Sequence, residues 1–362
     1  MGRWEFGADL RDERSRFDYR SVDTRYQPFV EPRLSPRLRL IDLSAQQERI
    51  SLWAEREQRL GERWAARFSL RHEDLQEPGR LPQIDLMPAA SLGRDLGEHA
   101  TLGLSLGWHW QNQRSDEISV QDGQLGPFEP EIARHLALSY RYAHGPWQWR
   151  AELFDKTYGD PRSYFENTLS PYELLPENED DRLRVDPERA FARGIELGVS
   201  RQLAEGRFYA SYVYTRARER IDDIWYARSW EQPHALQIGL DHAVFRQWRL
   251  GLNLLTRSGW AYSPPQVTGL APDGRPVLGF GPRNSARHPN YVNLSARLAR
   301  MYALPDSSLE LYFEVLNLLN RDNPCCIDSI AVQVDGEGSV ELREERLNGL
   351  PLLPSLGFTW RF

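Results

Sequence analysis

The sequence predicts an all-β chain folded as an antiparallel transmembrane β-barrel, on three observations. Apolar and polar residues alternate with a period of two rather than 3.6. Most of the alternating segments run ten to thirteen residues, enough for the ~9–11 that a tilted strand needs to cross a bilayer. The connections between them are short and long by turns.

The alternation is plainest in three places. From Thr101, the residues Leu102, Leu104, Leu106, Trp108 and Trp110 fall on one face, and Thr101, Gly103, Ser105, Gly107 and His109 on the other. Trp248, Leu250, Leu252 and Leu254 oppose Arg249, Gly251 and Asn253. Leu309, Leu311, Phe313 and Val315 oppose Glu310, Tyr312 and Glu314. Each such segment places one face in an apolar medium and the other in a polar one. About fourteen segments read this way: 2–11, 46–58, 63–72, 84–94, 99–111, 132–143, 147–157, 190–202, 207–218, 232–244, 247–257, 290–301, 308–319 and 353–362. Short turns such as Arg59-Leu60-Gly61-Glu62, Asp95-Leu96-Gly97-Glu98 and His144-Gly145-Pro146 close every second pair. Between them lie the longer connections 12–45, 73–83, 112–131, 158–189, 219–231, 258–289 and 320–352. Short turns on one rim and long loops on the other build a bacterial outer-membrane barrel. The last long loop should hold its own hairpin around Asp335-Gly336-Glu337-Gly338.

Composition agrees. The chain has 362 residues, 40% hydrophobic and 27% charged. No apolar run approaches the ~18–20 residues of a spanning helix. An aromatic content of 11% excludes a disordered chain. The net charge of -7 argues against nucleic acid as a partner. Lys156 is the only lysine among 45 basic residues, a bias that a G+C-rich genome would produce.

The C-terminus reads Ser355-Leu356-Gly357-Phe358-Thr359-Trp360-Arg361-Phe362. Leu356, Phe358, Trp360 and Phe362 share a face suited to lipid. The pattern of Gly357, Phe358, Trp360 and a terminal Phe362 resembles the signal read by the barrel assembly machinery. Other stretches extend the likeness: Arg193-Gly194-Ile195-Glu196-Leu197-Gly198, then Ser211-Tyr212-Val213-Tyr214-Thr215; Gly281-Pro282-Arg283-Asn284, then Pro289-Asn290-Tyr291-Val292-Asn293-Leu294-Ser295-Ala296-Arg297; and Phe313-Glu314-Val315-Leu316-Asn317-Leu318-Leu319-Asn320-Arg321-Asp322-Asn323. In order and spacing they resemble the C-terminal barrel of a TonB-dependent outer-membrane receptor, with Ser295 where that family would have Asp. The resemblance runs from about Glu48 onward and makes residues 1–362 one barrel domain.

Such receptors have roughly 22 strands around a separate plug, preceded by a signal peptide and a TonB-binding segment. None of these features is legible here, so the expectation is a C-terminal fragment, with TonB engaged only through a plug outside this chain. The resemblance implies active uptake of a large scarce nutrient, such as an iron–siderophore complex, by a protein in the outer membrane and in contact with its lipid. The ligand would be a small molecule or metal chelate; no cofactor and no enzymatic activity are expected. The alternatives are a self-standing channel or surface-binding barrel without a plug, and a soluble all-β binding domain.

No catalytic or nucleotide-binding motif occurs, and no metal site is expected. His72-Glu73-Asp74 reads as a solvated rim. Arg67, Arg71, Arg150, Glu152, Glu196, Glu310, Glu314 and Arg361 fall on polar faces, as a charged inner wall that would contact a plug. Tyr158, Tyr164, Phe165, Tyr172, Trp225, Tyr226, Trp230, Trp260 and Tyr262 cluster near the long loops. There they would bind ligand through apolar area with a polar handle, or form the interfacial girdle. Trp108, Trp110, Trp248 and Trp360 belong to the girdle. The only cysteines, Cys325 and Cys326, are adjacent, and an oxidising compartment would favour a vicinal disulfide between them.

Overall fold

The chain's computed structural model describes residues 2–23, 37–77, 83–170, 174–179, 181–245, 247–270, 276–334 and 340–362. In chain order the strands are β1 (Arg3–Asp23), β2 (Arg37–Arg59), β3 (Trp64–Gln76), β4 (Gln83–Asp95), β5 (Ala100–Gln111), β6 (Glu131–His144), β7 (Trp147–Asp160) and β8 (Tyr164–Asn167). Next come β9 (Arg182–Val185), β10 (Arg189–Leu203), β11 (Gly206–Ile221), β12 (Ile224–Ala227), β13 (His234–Phe245), β14 (Trp248–Arg257), β15 (Ala261–Tyr262) and β16 (Pro265–Leu270). The last are β17 (Pro276–Phe280), β18 (Ala286–Arg287), β19 (Tyr291–Ala303), β20 (Ser308–Leu316), β21 (Pro324–Val334), β22 (Val340–Asn348) and β23 (Leu353–Arg361).

One antiparallel sheet follows chain order through β1-β2-β3-β4-β5-β6-β7-β10-β11-β13-β14-β19-β20-β23, with β12 as an added strand on β11. These fourteen strands correspond to the fourteen segments expected from periodicity, most of them within a few residues. Among the described residues no pairing joins β1 to β23. The remaining short strands form four hairpin-like pairs: β8–β9, β15–β18, β16–β17 and β21–β22. All four lie in the long connections.

One expectation is corrected. Within the stretch 12–45, residues 12–23 and 37–45 are strand rather than loop, because β1 and β2 pair from Arg3↔Glu57 through to Asp23↔Arg37, and the rest lies outside the described residues. Its charges hid the strand. Arg11 pairs with Asp9, Arg14 with Asp12 and Arg20 with Asp18, each two residues apart on one face. Where both faces are polar the period-two contrast vanishes, although the backbone stays extended.

Registers assign the two faces, since directly paired residues share a side. Leu104, Leu138 and Leu153 lie in one row across β5, β6 and β7; Leu298, Phe313 and Leu356 lie in another across β19, β20 and β23. All six side chains are exposed. An apolar face of this extent left to water would be a liability, and in a bilayer it is the lipid-facing surface. The opposite face carries Ser105, Ala137 and Phe154 in one row and Arg297, Glu314 and Ser355 in another.

β20 ends just before Asn317, which adopts φ 51°, as Asn320 adopts φ 46°. Asparagine tolerates this left-handed region better than most residues. The buried Asn317 side chain donates to the carbonyls of Arg321 and Leu350 and accepts from the Arg321 amide. The Asn-rich exit is thus a turn that seats the start of the last long connection.

Candidate functional site

The long connections converge on a cavity of about 320 Å³. Tyr164 and Phe165 of β8, Trp230, Trp260, Tyr262 of β15 and His288 line it. Pieces of four long connections must fold together to make it, and buried charge holds them.

Glu219, near the end of β11, is completely buried. Its carboxylate accepts from the Tyr164 hydroxyl at 2.9 and 3.0 Å and from the Arg283 guanidinium at 3.1 Å. Arg228 approaches it at 3.5 Å. Arg283 also reaches Glu166 of β8 at 2.6 Å, and the Ser229 hydroxyl donates to the same carboxylate at 2.8 Å. Two acids therefore face two arginines, which is the condition for burying charge without leaving it uncompensated. Burial, with Glu166 and Glu219 alongside, pushes the Tyr164 phenol well above its usual pKa. Burial alone would lower the Arg283 guanidinium, but Glu166, Tyr164 and Glu219 outweigh it and raise the group.

Aromatic packing lies directly over this network. The Trp230 ring meets Tyr164 edge-on at 5.5 Å between centroids. The Arg228 guanidinium sits between Trp230 at 5.1 Å and Tyr158 at 5.4 Å. Asn284, at φ 50°, donates to the carbonyl of Ala227 and to Ser229, and its amide donates to Ser263. On the opposite wall Tyr262 stacks on His288, 4.3 Å between centroids. The Tyr262 hydroxyl lies 3.4 Å from Glu344 and 3.3 Å from Arg346, both on β22. His288 is buried, and its Nδ1 has no hydrogen-bond partner among the described residues. Burial, reinforced by Arg346 and opposed by Glu344, lowers its pKa to about 4.

The floor is tied to the last hairpin. The Ile327 amide of β21 donates to the Leu169 carbonyl at 3.0 Å, and Cys326 and Ile327 are fully buried. Cys325 and Cys326 are joined by a disulfide, and Cys325 borders the cavity. Arg182 of β9 forms a two-pronged pair with Asp122 at 2.6 and 2.9 Å and donates to Asn167 at 2.8 Å.

Of the aromatic residues singled out in sequence, Tyr164, Phe165, Trp230, Trp260 and Tyr262 meet at this cavity. Trp225 and Tyr226 lie on β12 and do not line it; the Trp225 ring is exposed and packs on Phe191 at 5.1 Å. Tyr172 falls outside the described residues. Sequence reasoning missed Glu166, Glu219 and His288, and read Arg283-Asn284 only as part of a family pattern. Nothing in a linear sequence marks an isolated Glu as the one that will be buried.

Arg67, Arg150, Glu152, Glu196, Glu310 and Glu314 all fall on the polar face of the sheet, as do Arg71 and Arg361, by the register of their strands. Arg67 pairs with Glu55 at 3.3 Å, and Glu310 with Arg297 at 2.6 Å. Arg67 and Glu152 border a recess of about 310 Å³; Arg150 borders a second of about 900 Å³ nearer the short turns. Gly357 lies on this face of β23, while Phe358, Trp360 and Phe362 are exposed on the apolar side. The solvated rim expected at His72-Glu73-Asp74 is corrected for Glu73. That residue is buried, because Arg71 at 2.6 Å and the hydroxyl of Ser51 satisfy it.

Comparison with known proteins agrees with this architecture. The model of the TonB dependent receptor-like β-barrel family matches residues 2–318. Among solved structures, the copper transporter OprC aligns with a TM-score of 0.61 at 16% identity, over 99% of this chain and 53% of that one. A mutant of the ferric enterobactin receptor PfeA from Pseudomonas aeruginosa, in complex with enterobactin, aligns at 0.61 and 16%, over 99% and 52%. The unliganded ferric citrate transporter FecA aligns at 0.56 and 18%, over 99% and 52%. No curated protein sequence matches. The chain spans about half the length of these solved transporters. Proteins of this family are outer-membrane transporters rather than enzymes. The chain belongs to the TonB-dependent receptor β-barrel family.

Proposed function

We propose that this chain forms the bacterial outer-membrane wall and ligand-capturing loops of a TonB-dependent importer. Its ligand is a metal chelate such as an iron–siderophore complex. One observation supports the capture role above the others: the loop cavity joins aromatic walls to the buried Nδ1 of His288, which has no partner among the described residues. Pockets of this kind orient a ligand with a few polar groups set in apolar surroundings. The arginines beside it are already paired with Glu166, Glu219 and Asp122. The cavity therefore selects by shape, stacking and one imidazole rather than by net charge. At about 320 Å³ it suits a compact arm of a chelate, not a whole large complex. The names of the similar structures, which mention ferric enterobactin, ferric citrate and copper, point to the same ligand class.

The polar face would meet a plug supplied from outside the described strands, with Arg67, Arg150, Glu152, Glu196, Glu310 and Glu314 as contacts. TonB would act through that plug, and the terminal strand would engage the barrel assembly machinery.

The test is equilibrium binding, read by tryptophan fluorescence, to ferric enterobactin, ferric citrate and Cu(II) in turn. Saturable binding of one of them, weakened about tenfold or more by Trp230→Ala and by His288→Ala, supports capture here; losses of a few kcal/mol are usual for a central aromatic contact. Binding that is unaffected by both substitutions refutes it.

A further inference from the structure

The apolar face of the sheet ends, at the short-turn rim, in a repeated pair of residue types. Trp4 is opposite Arg56 in the β1–β2 register, and Trp64 is opposite Arg94 in β3–β4. Trp147 is opposite Arg201 in β7–β10, and Trp248 is opposite Arg300 in β14–β19. Each tryptophan opens its strand or stands one residue in, and each arginine lies close to the end of the neighbouring one. In every pair the guanidinium lies over the indole, at 5.1, 5.0, 5.0 and 5.5 Å from the ring centroid. Four such pairs, on one face and at one level, are thus spread across the sheet, and Arg300 lies over Tyr302 as well, at 4.7 Å.

Among the described residues none of these four arginines forms an ion pair. The arrangement is different toward the long-loop end of the same face. There Arg134, opposite Trp108, and Arg193 both reach the carboxylate of Asp155. Toward the long loops two of the face's arginines share a carboxylate, whereas at the short-turn rim these four lie over indoles and, among the described residues, pair with no acid.

We propose that these Arg–Trp pairs are a phospholipid-binding girdle, each seating the phosphate of a lipid in the leaflet at the short-turn rim. An indole on the apolar face fixes the depth of the bilayer interface. The arginine stem lies along it while the head reaches the phosphate level. A guanidinium can keep its ring contact and still offer two parallel N–H donors to phosphate oxygens. Because no acid shares the site, the girdle favours anionic headgroups over zwitterionic ones.

The proposal rests on the membrane reading above, and its test separates the two. The 362-residue chain is incorporated into bilayers of phosphatidylcholine alone and of phosphatidylcholine with phosphatidylglycerol. Flotation with the neutral vesicles tests the membrane reading; failure there refutes that reading and the girdle with it. Native mass spectrometry of the released protein then counts retained lipid. The wild-type chain should retain phosphatidylglycerol in preference. The Arg56→Gln/Arg94→Gln/Arg201→Gln/Arg300→Gln variant should lose that preference by about tenfold or more, and the same four changes to Lys should keep most of it. Arg134→Gln with Arg193→Gln, at the other edge, should leave it unchanged. Arg94→Gln/Arg201→Gln, both at exposed sites, supplies a milder variant that should lose part of the preference. Wild-type protein without headgroup preference, or Gln variants that insert and keep it, would overturn the proposal.

Discussion

The ring of Tyr312 lies over Gly357 across the β20–β23 pair, in the space a β-carbon at residue 357 would need. The same relationship joins Trp53 to Gly7 and Tyr209 to Gly239, all on the polar face. An aromatic ring laid on a neighbouring glycine covers backbone that would otherwise be bare and helps to fix strand register. It also explains why the terminal strand carries glycine at this point.

Gly357→Ala should therefore push the Tyr312 ring aside and destabilise the β20–β23 pair, by about 1–3 kcal/mol as for other overpacked sites. Gly357→Ala combined with Tyr312→Ala should recover part of the loss. Urea unfolding from bilayers, followed by the heat-dependent gel shift of barrels, would measure both.

Glu219 sits at the centre of the loop network. Glu219→Ala leaves Arg228 without its carboxylate and Arg283 with only Glu166. The expected cost is about 3 kcal/mol, the low end for breaking a buried ion pair. The loss should be confined to the loops. Hydrogen exchange should speed up in β8, β12 and residues 281–288 while β5 to β7 stay protected.

His288 predicts an acid limit for the cavity. Its folded pKa of about 4 lies below the ordinary value of 6.5. Between those values the unfolded loop binds more protons than the folded one, so loop stability rises with pH. The folded cavity should be fully stable above about pH 6.5 and weaken as pH falls toward 4, by at most about 3 kcal/mol. His288→Gln should remove this pH dependence. Limited proteolysis of the loops across the range reads it directly.

Much of this was legible in the sequence. Leu102 to Trp110 and Trp248 to Leu254 declared their faces, because lipid on one side and a polar interior on the other keep the period-two contrast strong. The hairpin of β1 and β2 was only partly legible, because Asp9 to Arg20 is charged on both faces. The aromatic residues of the cavity were visible as a loop-side cluster, and Tyr164, Trp230, Trp260 and Tyr262 do meet. Their supports were not visible: Glu219, Glu166 and Arg283 lie far apart in sequence and look like ordinary surface charges. Only the convergence of three long connections makes them buried partners.

Two neighbouring residues of β5 test whether this sheet separates lipid from a polar interior. Leu104 and Ser105 are replaced singly by a spin-labelled cysteine in the bilayer-embedded chain, and relaxation by oxygen and by an aqueous nickel chelate is compared. A label at 104 should be relaxed mainly by oxygen, as in lipid, and a label at 105 mainly by the nickel chelate. Equal access of the nickel chelate to both positions would contradict that separation.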